Sequence, residues 1–206
     1  MVINPNSSQR ITAQIRKAVA SGGSVSVVTS SGGPPAIESD DDVVAAIGPM
    51  LETSRSYPAA AIVVACFSDP GLDALRAESQ VPVFGIAESA IDRALHLGEK
   101  VGVISSVVDS LPRHERYWRK LGVHERVVED IALGLGVLEL DTEHAFEKAR
   151  AAGKELVSSG ADVVVLGCTG MTHMQKGLEE ALGVPIVDPC LAAVEAAKAE
   201  LGVETP

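Results

Sequence analysis

The chain has 206 residues, 46% of them hydrophobic but only 3% aromatic, and a formal net charge of −11. That length can bury a real core and the apolar fraction excludes a disordered or fibrous chain, while the acidic balance lacks the clustered basic face that nucleic acid requires. No apolar run approaches the roughly 18 residues of a membrane span, and Asn4, Pro5 and Asn6 interrupt the start where a signal peptide would need an apolar stretch.

Strand and helix signals alternate eight times. In the first half, strands are expected at Val2–Asn4, Val25–Thr29, Ala60–Ala65 and Pro82–Gly85. Helices follow at about Ser8–Ala20, Asp41–Ser54, Pro70–Ser79 and Ala87–Leu97. The second half repeats the scheme, with strands at Val101–Ser105, Arg126–Ile131, Asp162–Gly167 and Pro185–Val187. Its helices are expected at Asp109–Leu121, Glu143–Ser159, Thr172–Leu182 and Leu191–Leu201. Short Val/Ile runs read as strands buried on both faces, and their alternation with helices implies βαβ units and parallel sheets. Gly22-Gly23, Gly98, Gly122, Gly160 and Gly183 fall where helices should stop. The fold class expected is α/β: two flavodoxin-like lobes of four parallel strands, residues 1–98 and 99–206, related by a pseudo-two-fold with the active site in the cleft between them. The last helix, about 190–206, could pack back on the first lobe. A closed (β/α)8 barrel has the same count of eight, but four strands suit a small doubly wound sheet better.

The halves are marked by matched blocks. Cys66 ends the run Ala60–Ala65 and Cys168 follows Asp162–Gly167, 102 residues further on. Val2-Ile3-Asn4 matches Val103-Ile104-Ser105, and Val81-Pro82-Val83 matches Val184-Pro185-Ile186. Ligands of open parallel sheets bind beyond the carboxyl ends of the strands, where both cysteines lie. Each precedes a helix start, whose free N–H groups would favour thiolate over thiol. In Phe67-Ser68-Asp69-Pro70, Ser68 or Asp69 can cap that helix and Pro70 suits its first position; after Cys168 a hydroxyl of Thr169-Gly170-Met171-Thr172 can do the same. A lone cysteine at a strand end is ordinarily a small buried hydrophobe. The matching positions set this pair apart.

Other chemistries find little support. Three cysteines without close spacing make no disulfide framework, which points to a reduced, cytoplasmic protein. Neither CxxC nor HxxxH spacing exists, so no metal is expected, and the five histidines are scattered; His173 is the one near the proposed site. Phosphate-loop motifs are absent, and no lysine is placed for a pyridoxal cofactor, so no cofactor is expected. Cys190 lacks a partner and reads as structural. Asn4-Pro5-Asn6-Ser7-Ser8 and its counterpart Ser105-Ser106 would add neutral hydrogen-bonding groups, and Gly32-Gly33-Pro34-Pro35 is a turn whose glycines suit close backbone approach.

At these residues the chain resembles the Asp/Glu/hydantoin racemase superfamily, most closely its hydantoin/allantoin branch. The matching stretches are Ile3–Ser8, Gly33–Glu38, Ala65–Leu72, Pro82–Ala90 and Val165–Met171, which run through nearly the whole chain in order. The resemblance implies a cofactor-independent racemase with Cys66 and Cys168 as acid/base pair, acting on a small molecule and assembled as a homo-oligomer. It also implies a substrate pocket lined by Asn4, Phe67, Ser68, Ser105, Gly167 and Thr169. Phe67 stands where the glutamate racemases carry Asn, Gly170 where they carry His, Asn4 in place of an acidic residue, and Ala36 where the hydantoin branch typically has Ser. The first three departures favour a neutral, ring-shaped substrate over an acidic amino acid. The rival readings are an Asp/Glu racemase, a maleate-type cis–trans isomerase, an arylmalonate-type decarboxylase and a non-catalytic ligand sensor. The maleate reading wants cationic side chains at the cleft, for which Arg10 and Arg76 are the candidates.

Overall fold

The computed structural model describes residues 1–20 and 25–203; the helix stop expected at Gly22-Gly23 lies outside the described residues. The first half runs β1 (Val2–Asn4), α1 (Gln9–Val19), β2 (Val27–Thr29), α2 (Asp40–Ser56), β3 (Ile62–Val64), α3 (Leu72–Glu78), β4 (Val83–Gly85) and α4 (Ile86–Leu97). The second runs β5 (Val101–Ser105), α5 (Leu111–Lys120), β6 (Val127–Ala132), α6 (Glu143–Ser158), β7 (Val163–Leu166), α7 (Gln175–Leu182), β8 (Ile186–Val187) and α8 (Pro189–Glu200).

Each half forms one four-stranded sheet, ordered β2-β1-β3-β4 and β6-β5-β7-β8, with every pairing parallel. The expected α/β class and the two like sheets are therefore observed, and a single closed barrel is not. The interior strands β1, β3, β5 and β7 are buried along their whole length, as their unbroken Val/Ile runs require. Edge strand β6 is only half-covered and accordingly carries Glu129 and Asp130 among its aliphatics.

The helices clasp the two sheets together. α4 packs on β5, β7 and β8 of the second sheet, while α8 packs on β3 and β4 of the first and against α4 and α1. The contact faces follow the helical period: Ala87, Ala90 and Ala94 on α4, and Cys190, Ala193, Val194 and Ala197 on α8, all buried. Small side chains let these two backbones approach closely. Cys190 is one of that stripe, fully covered. One contiguous core runs through both halves, from Val2 and Ile11 to Leu166 and Val194. A second cluster of Ile3, Met50, Ile62, Val64, Leu72, Leu75 and Val83 lies on the other face of the first sheet.

Helix starts hold the main departures from expectation. Ser8 caps α1 by accepting from Ile11 N at 3.3 Å, and Ser39 caps α2 in a reciprocal pair with Asp42. α3, however, starts at Leu72 behind a left-handed Gly71 with no side-chain cap, and a six-residue 3-10 segment, Thr169–Met174, precedes α7. Asp188 caps α8 by accepting from Leu191 N at 2.8 Å, so that helix begins at Pro189, a favoured first position.

Candidate active site

The segments that leave β3 and β7 descend into one cleft, and both Cys66 and Cys168 line it. Phe67, Ser68, Gly167 and Thr169 line it too. Asn4 and Ser105 do not. The Asn4 amide is fully buried and donates to Asn6 Oδ1 at 2.9 Å, Thr12 Oγ1 at 3.0 Å and the Ser8 carbonyl at 3.2 Å, which shapes the loop rather than facing the cleft. Ser105 Oγ, also buried, donates to Asp130 Oδ1 at 2.5 Å. Their neighbours Asn6 and Ser106 present themselves instead. A strand residue whose side chain points into the sheet packing leaves the cleft to the loop that follows it.

The loop after Cys66 is fixed by Asp69 rather than by a cap on α3. Asp69 adopts φ 43°, a conformation uncommon outside glycine, and Asp69 N donates to Cys66 O at 2.9 Å. Its carboxylate reaches across to α4, accepting from Ala87 N at 3.1 Å and Glu88 N at 3.0 Å, and takes a third hydrogen bond from Tyr117 Oη at 2.8 Å. Gly85 makes the room: a Cβ there would lie 2.3 Å from that carboxylate. Burial nevertheless pushes the Asp69 carboxyl up to about 7, against the pull of those three donors. The Gly33-Pro34 turn braces the Asn4–Ser8 loop, with Ser7 N donating to Pro34 O at 2.8 Å and a Cβ on Gly33 excluded by Pro5 O at 2.3 Å.

Donors do reach toward the sulfurs. Gly170 N–H lies 3.5 Å from Cys168 Sγ, and the Ser68 N–H and the Ser106 hydroxyl pull the Cys66 and Cys168 thiols downward. Burial outweighs them. Cys66 is pushed up to about 12 and Cys168 up to about 11, burial being the largest cause in both and the charge of Cys168 contributing to the rise at Cys66. The expectation of favoured thiolates is thus reversed: desolvation of a sulfur anion costs more than nearby backbone dipoles return. The mutual repulsion still has a use, because it disfavours the state with both sulfurs ionised.

His114 and Arg113, from α5, complete the cleft. The Arg113 guanidinium donates through Nε to Ser68 Oγ at 2.9 Å and through Nη1 to Asp40 Oδ1 at 2.7 Å. Arg10 and Arg76, the cations expected from sequence, are elsewhere: Arg10 lies 3.7 Å from Asp141 at the surface, and Arg76 pairs with Glu88 and the Val83 carbonyl. His173 is exposed and approaches only Asp141, at 3.9 Å. His114 is the histidine of the cleft. Its ring meets Phe67 edge-on at 5.3 Å, and Nδ1 lies 2.8 Å from Asp130 Oδ2. The sequence did carry a signal for it: Leu111, His114, Trp118 and Leu121 fall on one helical stripe that faces the interior. Glu38 ties the halves at the rim, its Oε1 accepting from Val137 N at 2.8 Å.

Among the described residues no group of three or more His, Cys, Asp or Glu side chains is arranged to hold a metal, and no helix is long and apolar enough to cross a membrane.

The chain is similar over its full length to the hydantoin racemase of Paenarthrobacter aurescens, 37% identical across 100% of this chain and 92% of that protein. The solved allantoin racemase of Klebsiella pneumoniae superposes with a TM-score of 0.90 at 30% identity, covering 100% of this chain and 89% of the other. A glutamate racemase of Bacillus anthracis shares the fold, with a TM-score of 0.72 at 20% identity over 98% of this chain and 80% of that one. Residues 1–197 match the family model described as Asp/Glu/Hydantoin racemase. On that match and the full-length relatives, this chain belongs to the Asp/Glu/hydantoin racemase family and is an isomerase of the racemase class.

Proposed function

We propose that this enzyme racemises the carbon beside a carbonyl in a 5-substituted hydantoin or an allantoin-like ring, without a cofactor, using Cys66 and Cys168 as the acid/base pair. The supporting observation is that two thiols from equivalent positions of two like sheets line one cleft. The named hydantoin and allantoin racemases it resembles support the substrate class.

In the proposed step, the thiolate of one cysteine takes the proton from the stereogenic carbon, and the C–H electron pair flows into the adjacent carbonyl as an enolate. The opposite thiol then delivers its proton to the other face. The product is the mirror-image ring, with thiol and thiolate exchanged, so the enzyme is ready for the reverse direction. In this reading Ser68 and Thr169 donate to ring carbonyls, and a good preorganised donor to a developing oxyanion is worth about 3–4 kcal/mol. An uncharged ring carbonyl gives up its neighbouring proton more readily than a free amino-acid carboxylate does. Arg113, the one cation lining the cleft among the described residues, commits two of its five N–H donors to Ser68 and Asp40, and Asp40 already balances its charge, which suits a neutral ligand better than a dianion. The same reading has residues 1–98 and 99–206 as lobes of a cytoplasmic homo-oligomer, checked by light scattering.

The decisive assay follows each enantiomer in D2O by NMR and polarimetry, over allantoin, 5-substituted hydantoins, aspartate, glutamate and maleate. Deuterium entering the stereogenic carbon of the cyclic ureides with loss of optical rotation is the expected result. Exchange confined to the amino acids, isomerisation of maleate, or tight binding without exchange would each replace this reading.

A further inference from the structure

His114 is only 2% exposed, yet its ring lines the cleft beside Phe67 and Cys168. Its Nδ1 is occupied, with Asp130 Oδ2 at 2.8 Å and Ser105 Oγ at 3.2 Å. An ionised carboxylate can only accept, so Nδ1 carries the proton and donates it to Asp130, and a neutral ring keeps its lone pair on Nε2. Ser105 gives its own proton to the other Asp130 oxygen, so both carboxylate oxygens are satisfied by this one cluster. The tautomer is thereby set by the protein before any ligand arrives. Nε2 itself has no hydrogen-bond partner among the described residues. Nor is it one of the polar side-chain atoms sealed there without a partner, which are Gln14 Oε1, Trp118 Nε1 and Asp188 Oδ2. A buried ring that lines the cleft, is tethered through Nδ1 to Asp130, packs edge-on against Phe67 and keeps an unpaired Nε2 is suited to receive a donor.

We infer that His114 is a specificity-determining residue: its Nε2 accepts a ring N–H of a cyclic ureide, with Asp130 as the positioning residue that holds the accepting tautomer. This inference rests on the racemase reading of the same cleft and says which feature of the substrate is read. Arg113 and the hydroxyls of Ser68, Ser106 and Thr169 can serve carbonyl oxygens, whereas Nε2 serves an N–H. A ring alkylated at that nitrogen would set a methyl group against the lone pair, and a carboxylate there would set two acceptors face to face. In either case a buried polar atom stays unpaired, the situation in which enzymes reject analogues most strongly.

The test uses 5-methylhydantoin and its 1-methyl and 3-methyl derivatives with the wild-type chain and His114→Phe. One of the two N-methyl rings should lose about tenfold or more in kcat/KM with the wild type. His114→Phe should lose a similar factor on the parent ring and discriminate no further against that derivative. In parallel, 15N spectra of the histidine side chains should show the Nδ1–H tautomer of His114 in the free protein, a change in that pattern in Asp130→Asn, and displacement of the Nε2 resonance on adding the parent hydantoin. Equal turnover of all three rings by the wild type, undiminished discrimination in His114→Phe, or an Nε2 resonance that hydantoin leaves in place would overturn the inference. If the parent ring is not turned over at all, the racemase reading fails by itself, and the Nε2 resonance still decides whether His114 binds the ring.

Discussion

Asp69 and Tyr117 meet across the two halves of the protein, the tyrosine hydroxyl donating to the carboxylate at 2.8 Å. The contact joins the loop that carries Cys66 to the helix that carries Arg113 and His114, while the same carboxylate caps α4. One side chain in a left-handed conformation therefore sets the position of a thiol, a helix start and the opposing wall together.

Asp69→Ala should destabilise the protein by about 1–3 kcal/mol, combining a lost helix cap with a half-buried tyrosine hydroxyl left unpaired. Urea unfolding measures it. Activity should fall by more than the folded fraction does, because the Cys66 loop loses its anchor. A variant whose stability stays within about 0.5 kcal/mol of the wild type would show that the cap and the cross-contact are dispensable.

Cys66→Ser and Cys168→Ser should each lower racemisation by about 10^2–10^4-fold, the usual contribution of a positioned acid or base. Because a hydroxyl replaces a thiol of nearly the same shape, circular dichroism and the melting temperature should change little. Racemisation at wild-type rate in either variant removes that cysteine from the reaction.

The pH profile follows from burial. The proposed mechanism requires one thiolate beside one thiol in the free enzyme, and the two thiols are pushed up to about 11 and 12. Below the lower value the thiolate fraction rises with pH, so kcat/KM should climb by about tenfold per pH unit from neutrality into the alkaline range. Alkylation by iodoacetamide should accelerate along the same curve. The sign for stability is opposite. Both thiols are protonated in either state below their unfolded value of about 8.5, and folding free energy declines as pH rises from there towards the folded values. A kcat/KM that is flat from neutrality upward would show that the free enzyme already holds a thiolate.

Gly167→Ala places a Cβ 2.7 Å from the Ile104 carbonyl and 2.9 Å from Ser105 Oγ, one residue before Cys168. Backbone must shift, at a cost of about 1–3 kcal/mol, and the shift is carried straight into the loop that holds Cys168. A lowered melting temperature and a fall in kcat beyond it are expected, both measurable on one preparation.

His173→Ala should leave racemisation within about twofold of wild type and stability within about 0.5 kcal/mol, as for other exposed positions without a strong partner. A large loss of kcat would return His173 to the site that its exposed position at Asp141 denies it.

Much of this was legible in the chain itself. The Val/Ile runs gave eight strands in the right order because strands buried on both faces need continuous apolar sequence, and the spacing of Cys66 and Cys168 within a repeat marked one place in each half. Ser68 and Thr169 were named from the family resemblance, and both line the cleft, in the loops directly after β3 and β7. Helix starts were harder. Asp69 reads as a local cap, yet it caps α4 from a distance of 18 residues, because a carboxylate serves whichever free N–H groups the fold brings to it. The ionisation of the sulfurs was out of reach as well, since desolvation depends on what surrounds a thiol in space and not on its neighbours in sequence. His114, Asp130 and Ser105 lie on three separate elements, and only packing makes them one group. Periodicity and repetition, being local, fixed the sheets and the sulfur pair; the electrostatics of the cleft came from contacts between segments far apart in the chain, which only the tertiary structure could decide.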